Sequence, residues 1–90
     1  MEKLSNYING QLMAPVSGEY IVNHSPTNGK AYSLIPDSNS IDVDFAIDSA
    51  RTAFDSWGKS TKEFRYDWMM KLADAIDSNA EALIRAESFD

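Results

Sequence analysis

Apolar positions along this chain follow two different periods, and the change falls near Asp37-Ser38-Asn39-Ser40. Before it, short apolar runs are punctuated by turn residues. After it, apolar residues recur every three or four positions, the spacing of an amphipathic helix. Tyr7-Ile8, Asn9-Gly10 and Gln11-Leu12-Met13 give the sharpest local signal. A two-residue type I′ turn needs positive φ at both central positions, which Asn and Gly tolerate best, so these residues predict a hairpin. Ala14-Pro15-Val16-Ser17-Gly18 cannot continue a central strand, because Pro has no N–H to donate. Residues 19–24 read as extended, with Tyr20 and Val22 on one face and Ile21 on the other. Ser25-Pro26-Thr27-Asn28-Gly29 predicts a second turn. Residues 30–35 then return as a strand ended by Pro36. Residues 1–37 are therefore expected to form two consecutive β-hairpins.

Residues 38–90 read as helical. Ser38, Asn39 and Ser40 each offer an N-cap, and Asp42 and Asp44 sit in the first turn, where the helix dipole favours negative charge. Val43, Ala46, Ile47, Ala50, Ala53, Phe54 and Trp57 trace one helix face, and Gly58 ends it. Ser60-Thr61-Lys62-Glu63 has the form of a capping box, with the Ser hydroxyl and Glu carboxylate each serving the other's backbone N–H. Phe64, Trp68, Met69, Leu72, Ala73 and Ile76 mark a second helix. Asp77-Ser78-Asn79 predicts a break, with Asn79 capping a third stretch whose Ala80, Leu83, Ile84 and Phe89 face inward. The pattern is still running at Glu87-Ser88-Phe89-Asp90, which carries no Gly or Pro stop and no basic residue. The expectation is one partial α+β domain over residues 1–90: two N-terminal hairpins, then three helices, belonging to something longer.

Composition narrows the function. Fourteen acidic residues against eight basic give a net charge of −6, and no Lys/Arg run exists to neutralise phosphates. Nucleic acid and anionic membrane surfaces are thereby disfavoured as partners. Met1-Glu2-Lys3-Leu4-Ser5-Asn6 lacks the apolar stretch of a secretory signal. With no cysteine at all, the chain suits a reducing compartment, and a cytoplasmic location is expected. An apolar content of 43%, with two Trp, four Tyr and four Phe, demands burial. A chain of this length buries only roughly 60–65% of its unfolded surface, and here it has no disulfide or metal cluster to help.

Candidate chemistry is sparse. His24 is the lone histidine, so no transition-metal ligand set exists around it, and it reads as a surface residue at a strand end. Asp42 with Asp44, and Asp74 with Asp77, have the look of paired carboxylates, but helix-start charge and a solvated face account for them. Trp68 and Met69 fit core packing, whereas Tyr66 and Met70 are placed to meet something outside these residues. Asp37-Ser38, Asp48-Ser49, Asp55-Ser56 and Asp77-Ser78 suggest an acyl carrier protein, whose phosphopantetheine is attached to a Ser followed by Leu. Here Asn39, Ala50, Trp57 and Asn79 follow instead, and two hairpins contradict an all-helical carrier. The glycines at 10, 18, 29 and 58 are isolated and form no phosphate loop.

The order of signals nevertheless resembles one family along nearly the whole chain. Tyr7-Ile8-Asn9-Gly10 is similar to the opening strand and turn of the aldehyde dehydrogenase superfamily. Ser25-Pro26-Thr27-Asn28-Gly29-Lys30 resembles its Asn-Pro-x-Thr-Gly turn, with Ser25 in the Asn place and one residue more before the Gly. Asp42-Val43-Asp44, Ala46, Ala50, Ala53-Phe54 and Trp57 resemble its first helix. Lys71-Leu72-Ala73-Asp74-Ala75-Ile76 and Glu87-Ser88-Phe89-Asp90 resemble the second and third. The resemblance implies the N-terminal portion of a cofactor-binding domain in an enzyme that oxidises an aldehyde to a carboxylic acid with NAD or NADP. It also implies that the nucleophilic Cys, general-base Glu, oxyanion Asn and cofactor site lie beyond Asp90. On that reading there is no catalytic, cofactor-binding or metal residue in this chain, and it is inactive alone. Family members hold a structural Na⁺ or K⁺ through positions that correspond to the Asn23 and His24 carbonyls and the Asp90 carboxylate. Tyr32-Ser33-Leu34-Ile35-Pro36-Asp37-Ser38 leans towards the branch acting on muconic semialdehydes. Two alternatives stand beside the enzyme reading: a free-standing acidic interaction module, and a decoy that binds dehydrogenase subunits. The expected partners are the remainder of the parent or its subunits, and the isolated chain is expected to self-associate.

Overall fold

The computed structural model describes all of residues 1–90. Five strands and three helices follow one another as β1 (Glu2–Lys3), β2 (Asn6–Ile8), β3 (Gln11–Met13), β4 (Tyr20–His24), β5 (Ala31–Pro36), α1 (Ser40–Trp57), α2 (Lys62–Ser78) and α3 (Ala80–Phe89). The α+β class and the strands-then-helices order are those the periodicities predict.

Asn9 and Gly10 lie at φ 53° and 75°, the left-handed pair that a type I′ turn requires. That geometry sets β2 against β3 with Tyr7 opposite Leu12 and Ile8 opposite Gln11. β4 and β5 pair antiparallel from Tyr20↔Pro36 to Asn23↔Ser33, with an irregularity between Asn23 and His24. Pro36 closes the strand from inside it, and the next donor, Asp37 N–H, still reaches the Glu19 carbonyl at 2.9 Å.

β1 has no counterpart in the sequence reading. It lies parallel to β5, Glu2 opposite Ser33, so the second sheet runs β1-β5-β4 rather than being a plain hairpin. Two residues carry no period to detect. What holds them is backbone pairing, extended by Leu4 N–H to the Leu34 carbonyl at 2.8 Å, and the Lys3 ammonium 4.5 Å from the Tyr20 ring centroid.

Among the three candidate caps of α1, Asn39 takes the role. Its Oδ1 accepts from Ile41 and Asp42 N–H at 3.0 and 3.3 Å, while the Asp42 carboxylate accepts from Asn39 N–H at 3.0 Å. Gly58 ends α1 without a left-handed residue. A Cβ there would lie 2.9 Å from the Phe54 carbonyl oxygen, so the close approach selects glycine. The box predicted at Ser60-Thr61-Lys62-Glu63 does not form. Thr61 is the cap, its Oγ1 accepting from Phe64 N–H at 3.1 Å, which makes the third helical residue an apolar one with nothing to return. The Ser60 hydroxyl turns back to the Trp57 carbonyl instead. Asn79 likewise serves the other helix: its side-chain amide donates to the Ala75 carbonyl at 2.7 Å, finishing α2 rather than capping α3.

The helices do not close over a core. No aliphatic or aromatic side chain is fully buried. Leu83 and Ile84, expected to face inward, are exposed, as are Val22 and Ile21 on both faces of β4. The radius of gyration is 16.6 Å, against about 12 Å for a compact chain of this length. The accessible surface is 7285 Å², where a folded monomer of this mass exposes about 5,200 Å². A stable domain packs two layers face to face. This chain supplies one.

Candidate functional site

The sheet of β1, β5 and β4 is fastened to the end of α3 by a cluster of polar side chains. Ser25 and Ser33 are each only 2% exposed, among the most covered residues in the molecule, and both sit beneath the end of α3. Ser25 opens the turn after β4, and its hydroxyl donates to the Phe89 carbonyl at 2.9 Å and meets Thr27 Oγ1 at 2.8 Å. Ser33 lies mid-strand on β5, next to Asn23 across the ladder, and its hydroxyl accepts from the Asn23 amide at 3.3 Å. The same amide donates to Asp90 Oδ1 at 2.8 Å, and the Tyr32 hydroxyl donates to that oxygen as well. The Tyr32 and Phe89 rings meet at 6.1 Å, tilted by 48°. A groove of about 440 Å³ opens beside this clasp, bounded by Leu4, Tyr32, Arg85 and Asp90.

The electrostatics follow from the donors. The Tyr32 hydroxyl, then the Asn23 amide, hold the Asp90 carboxyl below the usual carboxylate range. In return the Asp90 carboxylate keeps the Tyr32 proton in place and pushes that phenol above its ordinary value. A carboxylate made less basic, and already taken up by two donors, is a poor general base. The cluster is suited to fastening.

Of the residues singled out from sequence, the fold brings Asn23 and Asp90 together. It does so through the Asn23 side-chain amide, a donor, so an N–H faces the carboxylate. His24 lies past the strand irregularity, exposed. Asp42 is committed to the α1 cap and also accepts from Val16 N–H at 3.0 Å, apart from any pairing with Asp44. The Ser49 and Ser56 hydroxyls donate to helix carbonyls, and Ser38 accepts from the Asn6 amide at 2.8 Å. Tyr66, Trp68, Met69 and Met70 are all exposed; Trp68 stacks edge-on with Phe64 and lies under the Lys71 ammonium at 4.4 Å. Tyr32, Ser25, Thr27 and Ser33 were missed. They stood only inside segments quoted for their resemblance, and the signal of their role was a hydroxyl at the centre of an otherwise apolar strand and another at the head of a turn.

The groups do not fit a dinucleotide. A pyrophosphate is held by free N–H groups at a helix N-terminus. The start of α1 is occupied by Asn39 and the Asp42 carboxylate, and Thr61 with Glu63 stands at the start of α2. The start of α3 follows directly on Asn79 and carries Glu81 in its first turn, so negative charge stands at all three positions that a phosphate would take. Nor do three or more His, Cys, Asp or Glu side chains gather in a metal-holding group.

Residues 13–90 match the sequence model described as the aldehyde dehydrogenase family. The chain belongs to that family. An aldehyde dehydrogenase of Vibrio cholerae is 44% identical over 85 residues, covering 94% of this chain and 17% of the relative. An acetaldehyde dehydrogenase of Pseudomonas aeruginosa is 39% identical over 88 residues, 98% of this chain and 17% of the relative. A long-chain-aldehyde dehydrogenase of an Acinetobacter species is 39% identical over 89 residues, 99% of this chain and 18% of the relative. This aldehyde dehydrogenase segment therefore spans less than a fifth of the length of the relatives it matches. The matches support an N-terminal aldehyde dehydrogenase segment, and the five strands followed by three helices are consistent with an α+β N-terminal part. Of the residues resembling the muconic-semialdehyde branch, those from Tyr32 to Pro36 fall on β5 and Asp37 and Ser38 follow it, with Tyr32 and Ser33 spent on the clasp.

Proposed function

We infer that these residues form the N-terminal structural portion of an NAD(P)-dependent aldehyde dehydrogenase working in the cytoplasm, and that alone they catalyse nothing. The observation that carries this reading is the unpartnered apolar surface of the three helices. Phe54 is 67% exposed, and Trp57, Trp68, Leu72, Ile76 and Leu83 stand open beside it. Burial stabilises by roughly 25 cal/mol for each Å² of apolar surface, so these faces favour a second layer, and the remainder of a dehydrogenase supplies one. Oxidation of an aldehyde by this family's chemistry needs an activated thiolate. This chain has no cysteine, so the nucleophile, the NAD(P) site and the substrate pocket belong to the rest of the enzyme.

The test is reconstitution in two pieces. The chain is combined with a family member lacking its matching N-terminal residues, and NAD(P)H production is followed with short and long aldehydes. The chain alone is expected to be inert and the pair active. Turnover by the 90 residues alone would overturn the reading, as would failure of the pair to associate.

A further inference from the structure

Six asparagines are present, and two of them, Asn9 and Asn28, precede glycine. Glycine has no Cβ, so its main-chain nitrogen reaches the preceding side-chain amide with the least hindrance. The two pairs differ in what ties them down. The Asn28 side-chain oxygen accepts from Lys30 N–H at 2.9 Å, and Gly29 N–H donates to the Ser25 carbonyl at 2.8 Å. Ser25 is itself buried and bonded to Phe89, so attack by the Gly29 nitrogen must break a turn anchored to the clasp.

At the other pair, the Gly10 nitrogen has no hydrogen-bond partner, and the Asn9 side chain makes none. Asn9 is exposed and stands at φ 53° between strands of three residues each, which pair with nothing else. A lone two-stranded hairpin is marginal in water, so this turn opens at little cost. The remaining asparagines precede Tyr7, His24, Ser40 and Ala80, whose side chains hinder the same approach.

We propose that Asn9 is a site of spontaneous deamidation, selected over Asn28 by the fold. The Gly10 nitrogen bonds to Asn9 Cγ, the bond from Cγ to the side-chain nitrogen breaks, and ammonia leaves carrying the Gly10 proton. Water then opens the resulting succinimide at either carbonyl, giving aspartate or isoaspartate. One water is consumed and one ammonia released, with no change of oxidation state. Each event adds a negative charge to a chain already at −6. In isoaspartate the main chain gains a methylene, so Ile8 no longer faces Gln11 and the hairpin loses its register. The hairpin flanks α1 across a groove lined by Tyr7, Ile8, Ala46 and Ala50, so that face changes with it.

The chain, assembled with a family member lacking its matching N-terminal residues, is incubated at mildly alkaline pH, in buffer and in concentrated urea, and the products are located by peptide mapping with mass spectrometry. In buffer Asn9 is expected to convert about tenfold faster than Asn28, the ratio that hydrogen bonds retained at Asn28 produce. In urea the two rates converge. Equal rates in buffer, or faster conversion at Asn28, overturn the proposal. Asn9→Gln should remove the first product and leave the Asn28 rate unchanged.

Discussion

The Asn23 amide donates to the Asp90 carboxylate at 2.8 Å across 67 residues of chain, bringing the end of the last helix onto the edge of the sheet. Tyr32 joins the same carboxylate oxygen from the neighbouring strand, and Ser25 holds the carbonyl of Phe89 beside it. These bonds are most of what relates sheet to helices.

Tyr32→Phe keeps the ring against Phe89 but removes one donor to Asp90. The expected result is a looser α3: faster hydrogen exchange across residues 86–90, with α1 unchanged. Equal acceleration in α1 would show that the substitution acts on the whole chain rather than through the clasp.

The clasp also sets a pH dependence. Asp90 is held ionised more firmly in the folded chain than in the unfolded one, so its contribution is complete above the usual carboxylate range and is lost as acid protonates it. Tyr32 keeps its proton more firmly when folded, so its contribution is complete below the ordinary phenol value and is lost as pH rises from there through the raised one. Both groups face solvent, so the effect is small and screened. Exchange at α3 should therefore stay level through neutral pH and rise at both extremes, once the intrinsic exchange rate is divided out. A rise centred near neutrality would place the relevant titration elsewhere.

Asn39→Ala removes the side-chain half of the α1 cap, the acceptor for Ile41 and Asp42 N–H, and leaves the main-chain N–H at position 39 to donate to the Asp42 carboxylate. A loss of about 1 kcal/mol is expected, read as reduced helicity by circular dichroism. Ser38→Ala and Ser40→Ala, at the other two candidate caps, should change helicity little.

Much of this arrangement was legible from residue order. Asn9-Gly10 states its turn, because few other pairs accept positive φ twice. The helix faces are plain from Val43 to Trp57 and from Phe64 to Ile76, since period needs no tertiary context. Caps were harder. Ser60, Thr61 and Asn79 all have the chemistry of a cap, and which helix end each serves depends on where the chain turns. Burial was misjudged at Leu83 and Ile84, because an apolar face shows that a partner is wanted without showing that it is present. The clasp was half visible: Asn23 and Asp90 were singled out by resemblance, while Tyr32 and Ser33 depend on which residues cross-strand pairing sets side by side.

The central claim is that these helices form one layer of a two-layer structure, and sedimentation combined with near-ultraviolet circular dichroism of the isolated chain tests it most directly. Trp57 and Trp68 stand on the exposed faces and report whether their surroundings are fixed. The predicted result is self-association, or a monomer with a featureless near-ultraviolet spectrum. A sharp monomer peak with strong tryptophan bands would contradict it and point to a self-sufficient acidic module.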